Sequence, residues 1–158
     1  MIMATLILIL STGMFFFYLQ STCQKILRRK FAQAFWQAIT TANGFEFPSI
    51  RQALESSGVP MQYPRLMMAL RCDFQALTYL AKNAATLNQR HSSEERFLIL
   101  YFKWASLSLV VRHWLKLREK PAALKMTAIL QYFANVVGER ANAVRFGNLT
   151  ASDFLLNL

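Results

Sequence analysis

The opening segment of the chain constrains its fold most, because residues 1–24 contain no charged side chain. About 20 helical residues reach 30 Å, roughly the thickness of the hydrocarbon core of a bilayer. Ten strongly apolar residues lie within it: Ile2, Leu6, Ile7, Leu8, Ile9, Leu10, Phe15, Phe16, Phe17 and Leu19. Together such residues contribute roughly −3 to −6 kcal/mol to membrane insertion. We therefore expect residues 1–22 to form a transmembrane helix.

A cleaved signal peptide is the competing interpretation of this segment. It would require a basic start, a shorter apolar region and a cleavage site between small residues. The chain has no Lys or Arg before its apolar run, and the sequence from Leu19 to Cys23 is a poor cleavage site. Gln20 also makes it a poor lipoprotein site, because an aliphatic residue is expected there. An uncleaved anchor is therefore the better prediction.

Four basic residues follow the apolar segment directly, and they predict its orientation. They are Lys25, Arg28, Arg29 and Lys30. Because Lys and Arg are retained on the cytoplasmic side, we expect the N-terminus outside the cell and the remaining chain inside, at the plasma (inner) membrane. The same four side chains are expected at the membrane interface, where they would also attract anionic lipid headgroups.

The composition allows one compact domain beyond the anchor and indicates that it meets lipid or a partner. Of the 158 residues, 54% are hydrophobic and only 16% are charged, below the usual quarter. The net charge of +10 would suit a polyanionic partner, but the basic cluster behind the anchor accounts for much of it. The two cysteines, Cys23 and Cys72, fit a reducing compartment and no disulfide framework.

The hydrophobic pattern beyond the anchor is helical, with no alternating run typical of a strand. Residues 23–47 are predicted to continue the anchor as a basic juxtamembrane helix. Its apolar stripe of Leu27, Phe31, Phe35 and Ile39 would end at Asn43 and Gly44. Residues 48–158 are predicted to form the cytoplasmic helical domain. The expected fold is all-α, with one transmembrane helix and a small bundle of about four to five helices.

Four helices are expected within this domain. A short one follows Pro48, with Ser49 and Gln52 as a capping box and Gly58 as its end. The next spans about 65–88, with its inner seam at Leu66, Leu70, Asp73, Leu77, Leu80, Ala84 and Leu87. A core helix spans about 92–117, and the last begins at Pro121 and ends at Gly138, before a capped apolar turn at the C-terminus.

The third of these helices is apolar nearly all round, which fits either a bundle centre or a second membrane span. Lys103 argues against the span, because a lysine at the centre of a bilayer costs about 2.5–3.5 kcal/mol. Its expected inner seam is Leu100, Lys103, Leu107, Val110 and Trp114.

Asp73 interrupts an otherwise apolar seam, where an unpaired charge would be costly. We expect it to be buried and paired with Lys103 or Arg112, fixing the register of two helices. The functional alternative is a buried acid poised for proton transfer, although no nucleophile or metal ligand accompanies it.

No stretch of the sequence matches a catalytic, cofactor or metal motif. His91 and His113 have no second ligand at suitable spacing, and there is no glycine-rich phosphate loop or nucleophile elbow. Glu94 and Glu95 are better explained as first-turn residues after Ser92, where negative charge favours a helix start. We therefore expect no catalytic, cofactor-binding or metal-binding residue.

These observations favour a non-enzymatic, membrane-anchored accessory or scaffolding subunit of a membrane-associated complex. Its expected partners are membrane lipid and other subunits, and self-association stays open. The alternative is a membrane-bound regulatory module that binds nucleic acid or anionic lipid through a basic face, formed by Arg112, Lys116, Arg118 and Lys120. Nucleic acid is the less favoured ligand, because no recognition motif or interleaved aromatic platform accompanies these residues.

Overall fold

The computed structural model describes residues 1–29, 31, 33–56, 62–84 and 93–156, with side chains up to residue 143. Within these ranges the chain forms six helices and no strand, which confirms the all-α prediction. The helices are α1 (Ile2–Leu27), α2 (Trp36–Asn43), α3 (Phe47–Glu55), α4 (Tyr63–Asn83), α5 (Ser93–Trp114) and α6 (Lys120–Leu156). The first is long and apolar enough to cross a membrane, as the sequence predicted.

The long helix α6 is the centre of the bundle, and α2, α3, α4 and α5 all pack against it. Its inner residues are fully or almost fully buried, and they include five residues spaced three or four apart: Ala123, Met126, Leu130, Phe133 and Val137. Ile129 and Ala134 are also inaccessible to solvent, so the buried surface of α6 is wider than a single stripe.

Helix α1 does not continue into α2, so the expected unbroken helix over residues 23–47 is wrong. It ends at Leu27, and α2 begins only at Trp36. Between them Phe31 packs its ring edge-on against Tyr132 of α6, with centroids 5.3 Å apart. Phe31 and Ile39 are partly buried against the core of the bundle.

The two short helices α2 and α3 are capped by side chains from other helices. The Oδ1 atom of Asn135 in α6 accepts a hydrogen bond of 2.9 Å from the backbone N–H of Trp36, the first residue of α2. The Oδ2 atom of Asp73 in α4 accepts bonds from the backbone N–H groups of Glu46 (3.0 Å) and Phe47 (2.8 Å) at the start of α3. These bonds satisfy donors that a helix leaves free at its N-terminus.

The predicted capping box at Ser49 and Gln52 is therefore wrong. Helix α3 begins two residues earlier, at Phe47, and Ser49 lies inside its first turn, where its hydroxyl donates to the carbonyl of Glu46 (2.7 Å). Asp73 supplies the cap instead. The expected end at Gly58 lies outside the described residues, and α3 ends at Glu55.

Helix α6 runs through Gly138, where the sequence predicted its end, and continues to Leu156. The residue is glycine for packing, because a methyl group at this position would overlap the Cβ and ring of Phe35. The same continuity removes the separate C-terminal turn that was expected after Thr150. The apolar side chains of residues 154–158 lie outside the described part.

Helices α4 and α5 are antiparallel, and they lie close to their predicted positions. The rings of Tyr63 and His113 stack at one end (3.8 Å between centroids), and those of Phe74 and Phe102 stack further along (3.7 Å). Helix α4 ends at Asn83 rather than near 88, so Leu87 lies outside the described residues, as does the expected cap Ser92. The other seam residues of α4 are buried or half-buried.

Candidate docking surface

Helix α5 buries one side and leaves the other open. The buried side, which faces α4 and α6, consists of Glu95, Leu98, Tyr101, Phe102, Ala105, Ser106 and Leu109. The open side, which we call the outer face of α5, consists of Leu100, Lys103, Trp104, Leu107, Val111 and Trp114. Trp104 stacks on Phe16 of α1 and keeps 39% of its surface exposed, whereas the other apolar members are between 46% (Leu100) and 84% (Trp114) exposed.

The outer face corrects the predicted inner seam of this helix. That seam was Leu100, Lys103, Leu107, Val110 and Trp114, of which only Val110 is half-buried. The helix is apolar on all sides, so its pattern does not determine which side faces the bundle.

A groove of about 570 Å³ runs between α4 and α5 beside the outer face. The stacked rings of Phe74 and Phe102 line it together with Leu107 and Val110, and it is bordered by Arg71, Gln75, Lys103 and Ser106. Arg71 and Lys103 are exposed, and the Nη2 atom of Arg71 lies 3.4 Å from the Ser106 hydroxyl. The groove therefore combines an apolar lining with two positive charges. We call it the α4–α5 groove.

A second groove of about 650 Å³ lies along the last turns of α5 and the start of the connection to α6. It is mostly apolar, and its lining is Trp104, Leu107, Ser108, Val111, Arg112, Leu117 and Arg118. We call it the α5 end groove. Arg112 is held beside it by hydrogen bonds to the Ser108 hydroxyl (3.4 Å) and the Arg118 carbonyl (3.1 Å).

Asp73 is buried as predicted, but its partners are not the expected cations. Its carboxylate caps α3, whereas Lys103 is exposed on the outer face and Arg112 bonds to Ser108 and Arg118. Burial raises the pKa of Asp73, and the two backbone hydrogen bonds lower it again in part. The sequence could indicate that a buried Asp73 needs a partner. It could not identify the backbone N–H groups of Glu46 and Phe47, because backbone donors are present at almost every residue.

Three of the four basic residues behind the anchor lie in the described part of the chain. Lys25 and Arg28 are exposed, and Lys30 lies outside the described residues. Arg29 turns toward the bundle, where its guanidinium lies 3.6 Å from Glu94 and 4.0 Å from Glu139. A different basic group, Arg112, Lys116, Arg118 and Lys120, surrounds the end of α5.

Two buried polar contacts were missed by the sequence reasoning. Arg140 of α6 forms an ion pair with Glu95 of α5, and the same guanidinium donates to the carbonyl of Ala81 in α4 (2.7 Å). Asn135 caps α2. Neither Arg140 nor Asn135 interrupts an apolar seam in the sequence, so the pattern does not identify either of them as a buried polar residue.

The glutamates predicted as first-turn residues also join α5 to its neighbours. Glu95 pairs with Arg140, while Glu94 lies near Arg29 and accepts a hydrogen bond of 3.2 Å from the hydroxyl of Tyr132. Burial, together with the charge of Glu94, raises the pKa of Tyr132 to about 12.

The described residues contain no group of three or more His, Cys, Asp or Glu side chains placed to hold a metal ion. His113 stacks on Tyr63, and its Nδ1 atom lies 2.7 Å from the carboxylate of Glu119. His91 lies outside the described part of the chain. No protein-family model, curated protein or solved structure matches this chain.

Proposed function

We propose that this protein is a non-enzymatic, membrane-anchored accessory subunit whose bundle docks a partner protein at the cytoplasmic face of the inner membrane. Helix α1 is the anchor in this proposal, with its N-terminus outside the cell. The α4–α5 groove is the docking site. The observation that carries the proposal is the exposed apolar outer face of α5 beside a groove that no described side chain fills.

The anchor is supported by the exposure of α1. Only Leu19 and Cys23 of its 26 residues are buried, whereas Leu6, Ile7, Leu8, Ile9 and Leu10 are between 58% and 71% exposed. An exposed helical surface of this size is unfavourable in water, at roughly 25 cal/mol for each Å² of apolar area. A bilayer removes that cost, and the first charge after the helix start, Lys25, lies beyond the length needed to span it.

The chemistry of the α4–α5 groove defines the partner. Phe74, Phe102 and Leu107 offer an apolar lining, so the inserted segment should carry apolar side chains at helical or extended spacing. Arg71 and Lys103 border the groove, so the segment should also carry a carboxylate within their reach. An apolar centre with a charged border is the usual composition of a protein interface.

The test of docking reverses the two charges at the groove. The Arg71→Glu/Lys103→Glu variant should lose its partner on purification in mild detergent, because it would repel the partner's carboxylate. Lys82→Glu/Arg96→Glu is the matched control, since it makes the same charge change at exposed positions of α4 and α5 away from the groove. A partner retained equally by both variants, or a wild-type protein that purifies without one, would contradict the proposed docking site.

The alternative function, a regulatory module that binds nucleic acid or anionic lipid, is favoured by the basic group at the end of α5. A DNA titration of the detergent-solubilised protein at increasing salt separates the two ligands. Nucleic-acid binding should be measurable at low salt and weaken steeply as salt rises, since counterion release drives it. If the protein binds no DNA at low salt, nucleic acid is excluded, and anionic lipid is the ligand that the alternative retains.

A further inference from the structure

A polar cavity of about 380 Å³ lies where the end of α1 meets α3 and α6. Its lining includes Arg29, Trp36, Arg51, Gln131, Tyr132 and Asn135, and we call it the arginine pocket. No described Asp or Glu lines it, so the charges of its lining are the two guanidinium groups. The arginine pocket shares no residue with the α4–α5 groove, so it is a separate site.

The side chain of Asn135 presents hydrogen-bond donors to this pocket. Only 7% of the residue is exposed, and its Oδ1 atom already accepts the backbone N–H of Trp36 (2.9 Å). No described group accepts a hydrogen bond from its Nδ2 atom. Among the described residues, no fully buried side-chain nitrogen or oxygen lacks a partner. The Nδ2 atom must therefore reach solvent, which it does through the pocket that Asn135 lines.

Gln131 and Arg51 offer donors to the pocket for a similar reason. The Nη1 atom of Arg51 donates to the Oε1 atom of Gln131, which lies one turn before Asn135 on α6, and its Nε atom donates to Glu55 (2.9 Å). Because the oxygen of Gln131 faces Arg51, the amide has its N–H groups left to offer. The remaining groups of the guanidinium are donors as well, since a guanidinium has no acceptor.

Arg29 is the cation that can adjust most easily to a ligand. Its guanidinium lies 3.6 Å from Glu94 and 4.0 Å from Glu139, and all three side chains are about half exposed. Ion pairs of this length and exposure contribute little to stability. Arg29 can therefore exchange these contacts for a ligand in the pocket at low cost.

Two cations and several N–H donors select a ligand that is rich in acceptor oxygens. Guanidinium groups bind carboxylates and phosphates through paired hydrogen bonds. A phosphate monoester offers three acceptor oxygens and more charge than a carboxylate, which suits donors that come from several separate side chains. Leu27, Phe31 and Trp36 border the rest of the cavity, and such apolar groups suit the organic part of an ester.

We propose that the arginine pocket binds a phosphate monoester. Arg29 and Arg51 hold the phosphate through charge, and the amides of Gln131 and Asn135 donate hydrogen bonds to it. The bound ester joins the end of α1 to α3 and α6. A soluble metabolite and a lipid headgroup offer the same chemistry. The lipid source rests on the proposed anchoring by α1, because Leu27 and Arg29 directly follow the part of that helix that would span the bilayer.

The fluorescence of Trp36 tests binding and separates the two sources. The chain has three tryptophans, so Trp104→Phe/Trp114→Phe leaves Trp36 in the pocket as the reporter. Glycerol 3-phosphate is added to the full chain in mild detergent at constant ionic strength. Nanodiscs with phosphatidic acid, which carries the same phosphate monoester on a lipid, are compared with nanodiscs with phosphatidylglycerol, an anionic diester.

A saturable change of Trp36 emission with glycerol 3-phosphate would assign a soluble ester to the pocket. A change with phosphatidic acid alone, relative to phosphatidylglycerol, would assign a lipid headgroup. If neither monoester changes the emission, the proposed site is wrong.

Gln131→Glu in the same background tests the residues of the pocket. It keeps the acceptor for Arg51 but replaces an N–H donor with a negative charge, so affinity for the monoester should fall about ten-fold or more. Gln37→Glu is the matched control, because it makes the same change at an exposed position of α2 outside the lining. Equal affinities of the two variants would overturn the assignment.

Thermal unfolding of the unmodified chain covers the case in which a tryptophan variant does not fold. A ligand that binds the folded state alone raises the melting temperature. Glycerol 3-phosphate should therefore raise it more than glycerol does, or phosphatidic acid more than phosphatidylglycerol. A melting temperature that neither monoester raises above its control would refute the site.

Discussion

Asp73 shows how a single buried charge holds a neighbouring helix in place. Its carboxylate accepts the backbone N–H groups of Glu46 and Phe47, and it reaches them from α4, 26 residues along the chain from Phe47. The burial of Asp73 could be predicted from the sequence, because it interrupts an apolar seam. The partner could not be, because every residue except proline has a backbone N–H, and only the fold selects which ones are near.

Replacing Asp73 with alanine should destabilise the protein by about 2 kcal/mol or more, because it leaves two backbone donors without their charged acceptor. Asp73→Asn retains an acceptor oxygen and should cost clearly less. Thermal unfolding in detergent measures both, with the exposed neighbour changed in Cys72→Ala as the control. A melting temperature that is the same for Asp73→Ala and the control would contradict the capping role.

The pH dependence of stability should report the burial of Asp73, which outweighs the effect of its two capping bonds on the pKa. Burial raises the pKa of Asp73 above its ordinary value of 3.8, so the folded state binds the proton more tightly than the unfolded state. Its contribution is therefore largest below pH 3.8 and is lost as the pH rises through the raised value. The stability of the wild type relative to Asp73→Asn should fall over that window, and a constant difference would exclude the shift.

At the scale of elements, helix positions were easier to predict than helix faces and ends. The seam of α4 has a clear period, and its residues are indeed inside. The pattern of α5 is apolar on every side, so the choice of the inner face depends on neighbours that the sequence does not reveal. Gly138 was misinterpreted for a related reason: glycine favours helix ends, but here it makes room for Phe35.

The contact between Gly138 and Phe35 leads to a prediction opposite to helix propensity. Alanine is a better helix former than glycine by about 1 kcal/mol, yet Gly138→Ala should destabilise the protein, because the added methyl group overlaps Phe35. Phe35→Ala alone should also be destabilising, through lost packing. Chemical denaturation should find the double variant less impaired than the sum of the two, since truncating Phe35 makes room for the methyl group. Strict additivity, or a stabilising Gly138→Ala, would refute the close approach.

At the scale of the whole molecule, the all-α architecture and the apolar first helix were predictable, because both depend on composition and periodicity over long segments. The break after α1 was not, since it accompanies the packing of Phe31 on Tyr132 of α6, which lies about a hundred residues further along the chain. The ion pair of Arg140 with Glu95 could not be predicted either, because its two residues lie far apart in the chain. It joins α5 to α6, and the further bond to Ala81 brings in α4.

Arg140 is therefore expected to be a main polar link of the bundle. Arg140→Ala should cost about 3–5 kcal/mol, the usual effect of removing one partner of a buried ion pair. Arg140→Lys keeps the charge but cannot reach Glu95 and Ala81 with separate nitrogens, so its effect should be intermediate. Thermal melts compared with that of Arg96→Ala, an exposed position on α5, check both. Equal melting temperatures for Arg140→Ala and Arg96→Ala would show that the link is dispensable.

The caps of α2 and α3 impose an order of events on synthesis at the ribosome. Residues 36–55 leave the ribosome long before Asn135, the residue that completes the start of α2. Asp73 emerges sooner, but α3 also packs against α6, which is made last. In the proposed topology, α1 therefore inserts while the segment behind it still lacks its helices. Chains that terminate before residue 120 lack α6, so they should expose this segment to proteases.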